Sequence, residues 1–359
     1  MRKLLLLTAL CLAAVTSLHA QNLRLLVGTY TNDGTASGAW LFRFDGSTGV
    51  SRELDFAAAR NPAFIIPSAD RTRAWSVSES NDGQQGACSY LLTPQSLELV
   101  NTEVNCPTGS GGGNPCNILY LNGFILTADY FGGTVSIFPV AADGRLEPLR
   151  KSFYFGEKSR MHCCRLSPDG RWLFASDLGC DAIRRFPVVA GGTLPVGEPD
   201  IAYQATPGSG PRHFVFSADG RFCYLLGELG DTLTVLRYED GTLTPVQEIK
   251  AYNGRGKGSA DIHLSPDGRF LYTSHRLRGE GIAIFAVDSQ RGTVSPAGFQ
   301  RTGNHPRNFT LSPDGKWLLC ACRDDNAIEV YARDAATGAL TLHPERTIRV
   351  NHPVCVQLF

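Results

Sequence analysis

Short runs in which apolar side chains alternate with small or polar ones recur along the whole chain, among them Thr134 to Val140, Gly281 to Val287 and Ala327 to Arg333. A period of two places successive side chains on opposite faces of an extended backbone, so these runs predict β-strands. A second pattern punctuates them. Ser167-Pro168-Asp169-Gly170-Arg171-Trp172-Leu173 returns in nearly the same form at Ser265 to Leu271 and at Ser312 to Leu318, with Ser217 to Phe222 as a fourth copy and Ser68-Ala69-Asp70 and Leu121-Asn122-Gly123 as worn ones. Each sets an Asp-Gly or Asn-Gly type turn between two apolar runs, which predicts tight hairpins whose glycine supplies the positive φ.

Lining the alternating runs up on one position gives Phe42, Tyr90, Phe138, Phe186, Leu236, Phe285 and Tyr331, seven repeats spaced by about 48 residues. A repeat of that length made of short strands, with no helical pattern between them, fits a four-stranded propeller blade. The first repeat has no inner strand before its hairpin, while His352 to Leu358 has the pattern of an inner strand and no hairpin to follow it. The expected fold is therefore all-β: a seven-bladed β-propeller in which the C-terminal strand completes the first blade. No linker is left over, so 21–359 read as one domain.

The first twenty residues stand apart: Arg2 and Lys3, an apolar stretch from Leu4 to Val15, and a polar end at Ala20. This is the pattern of a cleavable signal peptide, 1–20, cut before Gln21, and it predicts a periplasmic or secreted protein with no membrane attachment after cleavage. Lysine plus arginine equals aspartate plus glutamate at 34 each, so no basic field exists to hold nucleic acid. A helical bundle is excluded by 38 glycines and 20 prolines spread through the chain. Ten cysteines follow Cys11. Export permits disulfides, and these cysteines read as buried small hydrophobes with one or two bridges; their spacing is not that of a metal site. The glycine run Gly109 to Gly113 neither follows a strand nor opens a helix, so it reads as a loop rather than a phosphate cradle. A small-molecule ligand, no cofactor, no metal and a monomer are expected.

The inner strand of each propeller blade lines the central channel. Counting back seven residues from the turn aspartates gives Ala63, His162, Arg212, Ala260 and Arg307, with Cys116 and Val354 equivalent through their neighbouring prolines. A second ring, at the end of the following strand, reads Glu79, Asp129, Asp177, Glu228, Arg276 and Arg323. Mixed charges facing one channel are costly as mere packing. Glu79, Asp129 and Asp177 read first as strand-end acids that accept backbone hydrogen bonds in the next loop, and Arg212 has the alternative of a plain salt bridge to Glu228 across its hairpin.

With Val27-Gly28-Thr29-Tyr30-Thr31, Gly208-Ser209-Gly210-Pro211-Arg212-His213, Ser274-His275-Arg276 and His305-Pro306-Arg307-Asn308-Phe309 in order, the chain resembles the lactonase-type seven-bladed β-propellers, which include 6-phosphogluconolactonases and carboxymuconate cyclases. The resemblance implies His162, Arg212, Glu228 and Arg276 as catalytic residues, to which we add Arg307, Arg323 and Asp177 as candidate substrate contacts. It implies hydrolysis of a sugar lactone, phosphorylated or not, with a lactonising cycloisomerase or a non-enzymatic ligand-binding scaffold as alternatives. In lactone hydrolysis Glu228 or His162 would be the base. Arg160 and Asn117 stand where the family often has histidine, and His275 where it has asparagine.

Overall fold

The computed structural model describes residues 22–36, 38–80, 82–105, 113–252 and 257–359. The leader expected at 1–20 lies outside them, as does most of the glycine run. Seven antiparallel four-stranded sheets form the blades, six of them from strands consecutive in the chain, the last of these carrying an extra short strand Ile348–Arg349 on Ala327–Arg333. Among the described residues helix is confined to three single 3-10 turns. This is the seven-bladed β-propeller the repeat predicts. Blade 1 begins at Asn22–Thr29, and blades 2 to 7 have inner strands at Ile65–Pro67, Pro115–Leu121, Met161–Leu166, Pro211–Phe216, Ser259–Leu264 and Pro306–Leu311.

Ring closure is as expected. Pro353–Leu358 pairs antiparallel with Asn22–Thr29, Val27 opposite Val356, and Arg24 and Phe359 exchange both backbone hydrogen bonds at 2.9 Å. Two strand edges that would otherwise stand open are thereby paired.

The repeated turn explains why so little sequence suffices to fix the hairpins. In blades 4 to 7 the serine hydroxyl donates to the aspartate two residues on, at 2.6, 2.6, 2.5 and 2.6 Å, and the glycine N–H returns to the serine carbonyl. Gly170, Gly220, Gly268 and Gly315 hold φ of +69° to +74°. Blade 2 makes the same turn with Arg71 in the glycine position at φ +60°, where a Cβ is strained.

All seven aligned third-strand residues are buried. They pack between sheets: Leu25 and Phe42 of blade 1 meet Trp317, Leu319 and Ile328 of blade 7. Each such side chain contributes about 1.5–3 kcal/mol by leaving water. The nine described cysteines are all free, eight of them buried, so the one or two expected bridges are not formed among them; burial instead pushes thiols such as Cys223 well up and leaves them unreactive. Among the described residues no helix is long and apolar enough to cross a membrane.

Candidate active site

The channel slots are built by a bulge. In six blades the pairing of the inner strand with its neighbour shifts at the slot residue, passing over Cys116, His162, Arg212, Ala260, Arg307 and Val354. A bulged residue leaves the ladder and its side chain is re-aimed. His162, Arg212 and Arg307 are thus delivered to the channel by local backbone geometry repeated in six of the blades.

The second ring needs a correction in two blades. Pro211 pairs with Gly227, so Glu228 is the next residue; Ser259 pairs with His275, putting Arg276 in the same place, and Pro306 with Cys322, putting Arg323 there. By the same rule Met161 pairs with Asp177 and Pro115 with Asp129, so the ring positions of blades 4 and 3 belong to Leu178 and Tyr130. In blade 1 Thr29 pairs with Pro353, which places Tyr30 in the ring. A slip of one residue along a strand turns a side chain to the opposite face. Asp177 accordingly receives Arg184 Nε and Nη2 at 3.0 and 2.8 Å and the Arg160 backbone N–H at 3.0 Å. Asp129 takes the hydroxyls of Thr127, Thr134 and Ser136, and burial pushes it up to about 6. Neither joins the channel cluster.

Glu228 is its centre. Arg212 Nε donates to Oε2 at 2.9 Å and Arg276 Nη2 to Oε1 at 2.5 Å, while His162 Nε2 stands 4.0 Å from Oε2. Arg212 also donates to the Ala260 carbonyl of the next blade. Arg276 is steadied by His305, whose Nε2 lies 3.3 Å from Nη1. Burial alone would raise the Glu228 carboxyl, but the charges of Arg212, Arg276 and Arg307 outweigh it and hold it below the usual glutamate value. For His162 burial and the same guanidiniums act together and keep the imidazole neutral at pH 7.

A second acid sits across the channel in different company. Both Glu79 oxygens lie 3.0 Å from the Tyr30 hydroxyl, and Arg307 Nη2 approaches only to 3.9 Å. Here burial prevails over the Arg307 charge and the carboxyl is raised. Arg307 also covers the Tyr30 ring at 5.3 Å. A polar cavity of about 400 Å³ opens beside this corner, lined by Tyr30, Asn32, Arg60, Glu79 and Asn114 among others.

Of the expected residues, His162, Arg212, Glu228, Arg276 and Arg307 come together. Arg323 reaches its ring position but folds outward onto Asp324, Nε to Oδ1 2.6 Å. His275 turns away from Arg276 and is held by Ser259 and Thr273 against Tyr252. Tyr30 and Tyr130 went unread as site residues, although counting nine residues from each turn aspartate, which yields Glu79, Glu228, Arg276 and Arg323, would have replaced Asp177 by Leu178. Among the described residues no group of three His, Cys, Asp or Glu side chains could hold a metal ion.

Three guanidiniums gathered around two carboxylates and a neutral imidazole leave one positive charge in excess when both acids are ionised. Such a site can hold an anionic ligand and stabilise an oxyanion.

Comparison with known proteins gives this arrangement a family. Residues 24–358 match the family described as lactonase, 7-bladed β-propeller. The chain is 31% identical to the 6-phosphogluconolactonase of Formosa agariphila, over 93% of this chain and 99% of that one, and 32% identical to the 6-phosphogluconolactonase of Bacillus subtilis, over 92% and 97%. Among solved structures, a Bacteroides fragilis protein superposes with a TM-score of 0.89 at 39% identity, covering 94% of this chain and 98% of that one. The periplasmic gluconolactonase of Pseudomonas aeruginosa does so at 0.83 and 29%, covering 94% and 99%. The chain belongs to the seven-bladed β-propeller lactonases.

Proposed function

We propose that this chain hydrolyses a sugar lactone to its acid, outside the cytoplasm. The observation that carries the reading is Glu228 clamped by Arg212 and Arg276 beside a neutral His162, in the channel of a lactonase-family propeller. Both Glu228 oxygens are taken up by Arg212 and Arg276, so Glu228 serves as the fixed counter-charge. His162 is the base that takes a proton from the attacking water, and general-base help of this kind supplies roughly 10²–10⁴-fold. The Arg212 and Arg276 guanidiniums face the carbonyl oxygen as charge develops on it. Arg307, with its loose ion pair, anchors the anionic or hydroxyl-bearing tail, and Tyr30 and Glu79 bond to ring hydroxyls. Export is supported by the leader pattern of residues 1–20 and by the likeness to a periplasmic gluconolactonase.

The test is a panel of lactones, gluconolactone and 6-phosphogluconolactone included, together with muconate-type diacids, followed by proton release from the purified protein. Lactone consumption well above the spontaneous rate is expected. A protein that closes muconates and opens no lactone would be a cycloisomerase, and one inert to both would be a binding module.

A further inference from the structure

One residue beyond the channel slots of blades 3, 5 and 7, the inner strands carry side chains that latch neighbouring blades. Asn117 Oδ1 accepts the Cys164 backbone N–H of the next blade at 2.9 Å, and Asn308 Oδ1 accepts that of Val356 at 2.7 Å. A single amide oxygen suffices for the task. Blade 5 places a histidine there instead: His213 Nδ1 lies 2.7 Å from Asp261 Oδ1 in blade 6. Asp261, 1% exposed, also receives His263 Nε2 at 2.9 Å, Asn308 Nδ2 at 2.5 Å and the Ile262 backbone N–H at 3.0 Å. Since an ionised carboxylate only accepts, His213 carries its hydrogen on Nδ1 and its lone pair on Nε2.

That Nε2 is what the latch does not explain. It is buried, and among the described residues it has no hydrogen-bond partner; the same holds for Nδ1 of His162. The two rings meet edge to face with centroids 5.2 Å apart. Buried polar atoms in a native fold have a use or a partner. Two facing imidazoles, one backed by a carboxylate, have the makings of a proton path.

We infer that His213, oriented by Asp261, is a positioning residue for His162 and takes over the proton that His162 accepts during hydrolysis; this rests on the lactonase reading above. As the water oxygen bonds to the lactone carbonyl carbon, its proton passes to His162, and His162 passes a proton, directly or through one water, to His213 Nε2. The positive charge then rests on an imidazolium whose Nδ1–H is already bonded to Asp261. When the ring C–O bond breaks, the proton returns by the same route to the departing ring oxygen, which leaves as a hydroxyl. No other reactant is consumed. The electrostatic reason is local: burial and Arg212 oppose an imidazolium at either ring, but at His162 Arg276 and Arg307 oppose it as well, whereas at His213 the Asp261 carboxylate offsets part of that cost.

His213→Asn separates latch from relay, because the asparagine amide takes the place of Nδ1 and still donates to Asp261 while nothing replaces Nε2. In the full chain this variant is expected to melt close to the wild type, to keep KM, and to lose about 10²-fold in kcat. Placed on a His162→Ala background it is expected to change kcat by less than about twofold, since residues acting as one unit are not additive. Retention of kcat within about threefold in His213→Asn, or losses that multiply in the double variant, would overturn the relay. Should His213→Asn fail to fold, His213→Gln carries the same two expectations. A wild-type protein that consumes no lactone strikes instead at the lactonase reading on which the relay depends.

Discussion

Asp177 ends the second strand of blade 4 and Glu228 directly follows that of blade 5, eight and nine residues after their turn aspartates, yet they live in different worlds. Asp177 opposes its inner strand directly and turns into the blade, where Arg184 and a backbone N–H satisfy it. Glu228, one residue beyond the pairing, turns into the channel and gathers arginines from its own blade and the next. The same residue class on the same repeat becomes a structural prop or a site according to a single step in register. In a propeller, chemistry is placed by the bulge and the strand end, and the side chain is secondary to where the backbone aims it.

The contrast can be broken most forcefully by exchanging charge for amide at both positions. Glu228→Gln is expected to cut kcat by 10² or more per folded molecule and to lower stability too, because it leaves Arg212 and Arg276 buried without a counter-charge. Asp177→Asn should cost about 1–3 kcal/mol of stability and leave kcat within about twofold. Measuring kcat and denaturant unfolding on both settles the matter, and a large rate loss in Asp177→Asn would erase the distinction. A somewhat smaller effect is expected from Arg212→Lys, about 10-fold or more in kcat, since lysine cannot span Glu228 and the Ala260 carbonyl together. An active lysine variant would reduce Arg212 to a point charge.

The mildest test compares Glu228 with Glu79, the other acid placed on the ring. Glu228 titrates below the usual 4.5, so it stabilises the fold above that pH and the contribution is lost as pH falls through its depressed value. Glu79 is shifted the other way, so its ionisation costs stability as pH rises from 4.5 through its raised value. Unfolding measured from pH 3 to 8 should show Glu79→Gln equal to or more stable than the wild type at neutral pH, and Glu228→Gln less sensitive to acid. Parallel curves for the two variants would mean that the corners are alike.

Much of this was legible in the sequence because the information is local. Ser-x-Asp-Gly closes its own turn with its own side chains, so four copies announce four hairpins and their spacing counts the blades. His162, Arg212 and Arg307 could be found by counting because the distance from slot to turn is constant. The second ring was harder, since blade 3 has a shorter turn and blade 4 an acid one residue early. Tyr30 was hidden for a topological reason: its inner-strand partner is not beside it in the chain but more than three hundred residues away.

That last pairing sets a timetable. Tyr30 is among the first residues of the fold to be synthesised, and the strand that seats it, Pro353–Leu358, is the last. Contacts of such sequence separation form late and slowly. A nascent chain can stack blades as they emerge, but its channel has an unbounded side until Pro353–Leu358 has been made, so the Tyr30, Glu79 and Arg307 corner is assembled late, after blades that need only their own hairpins.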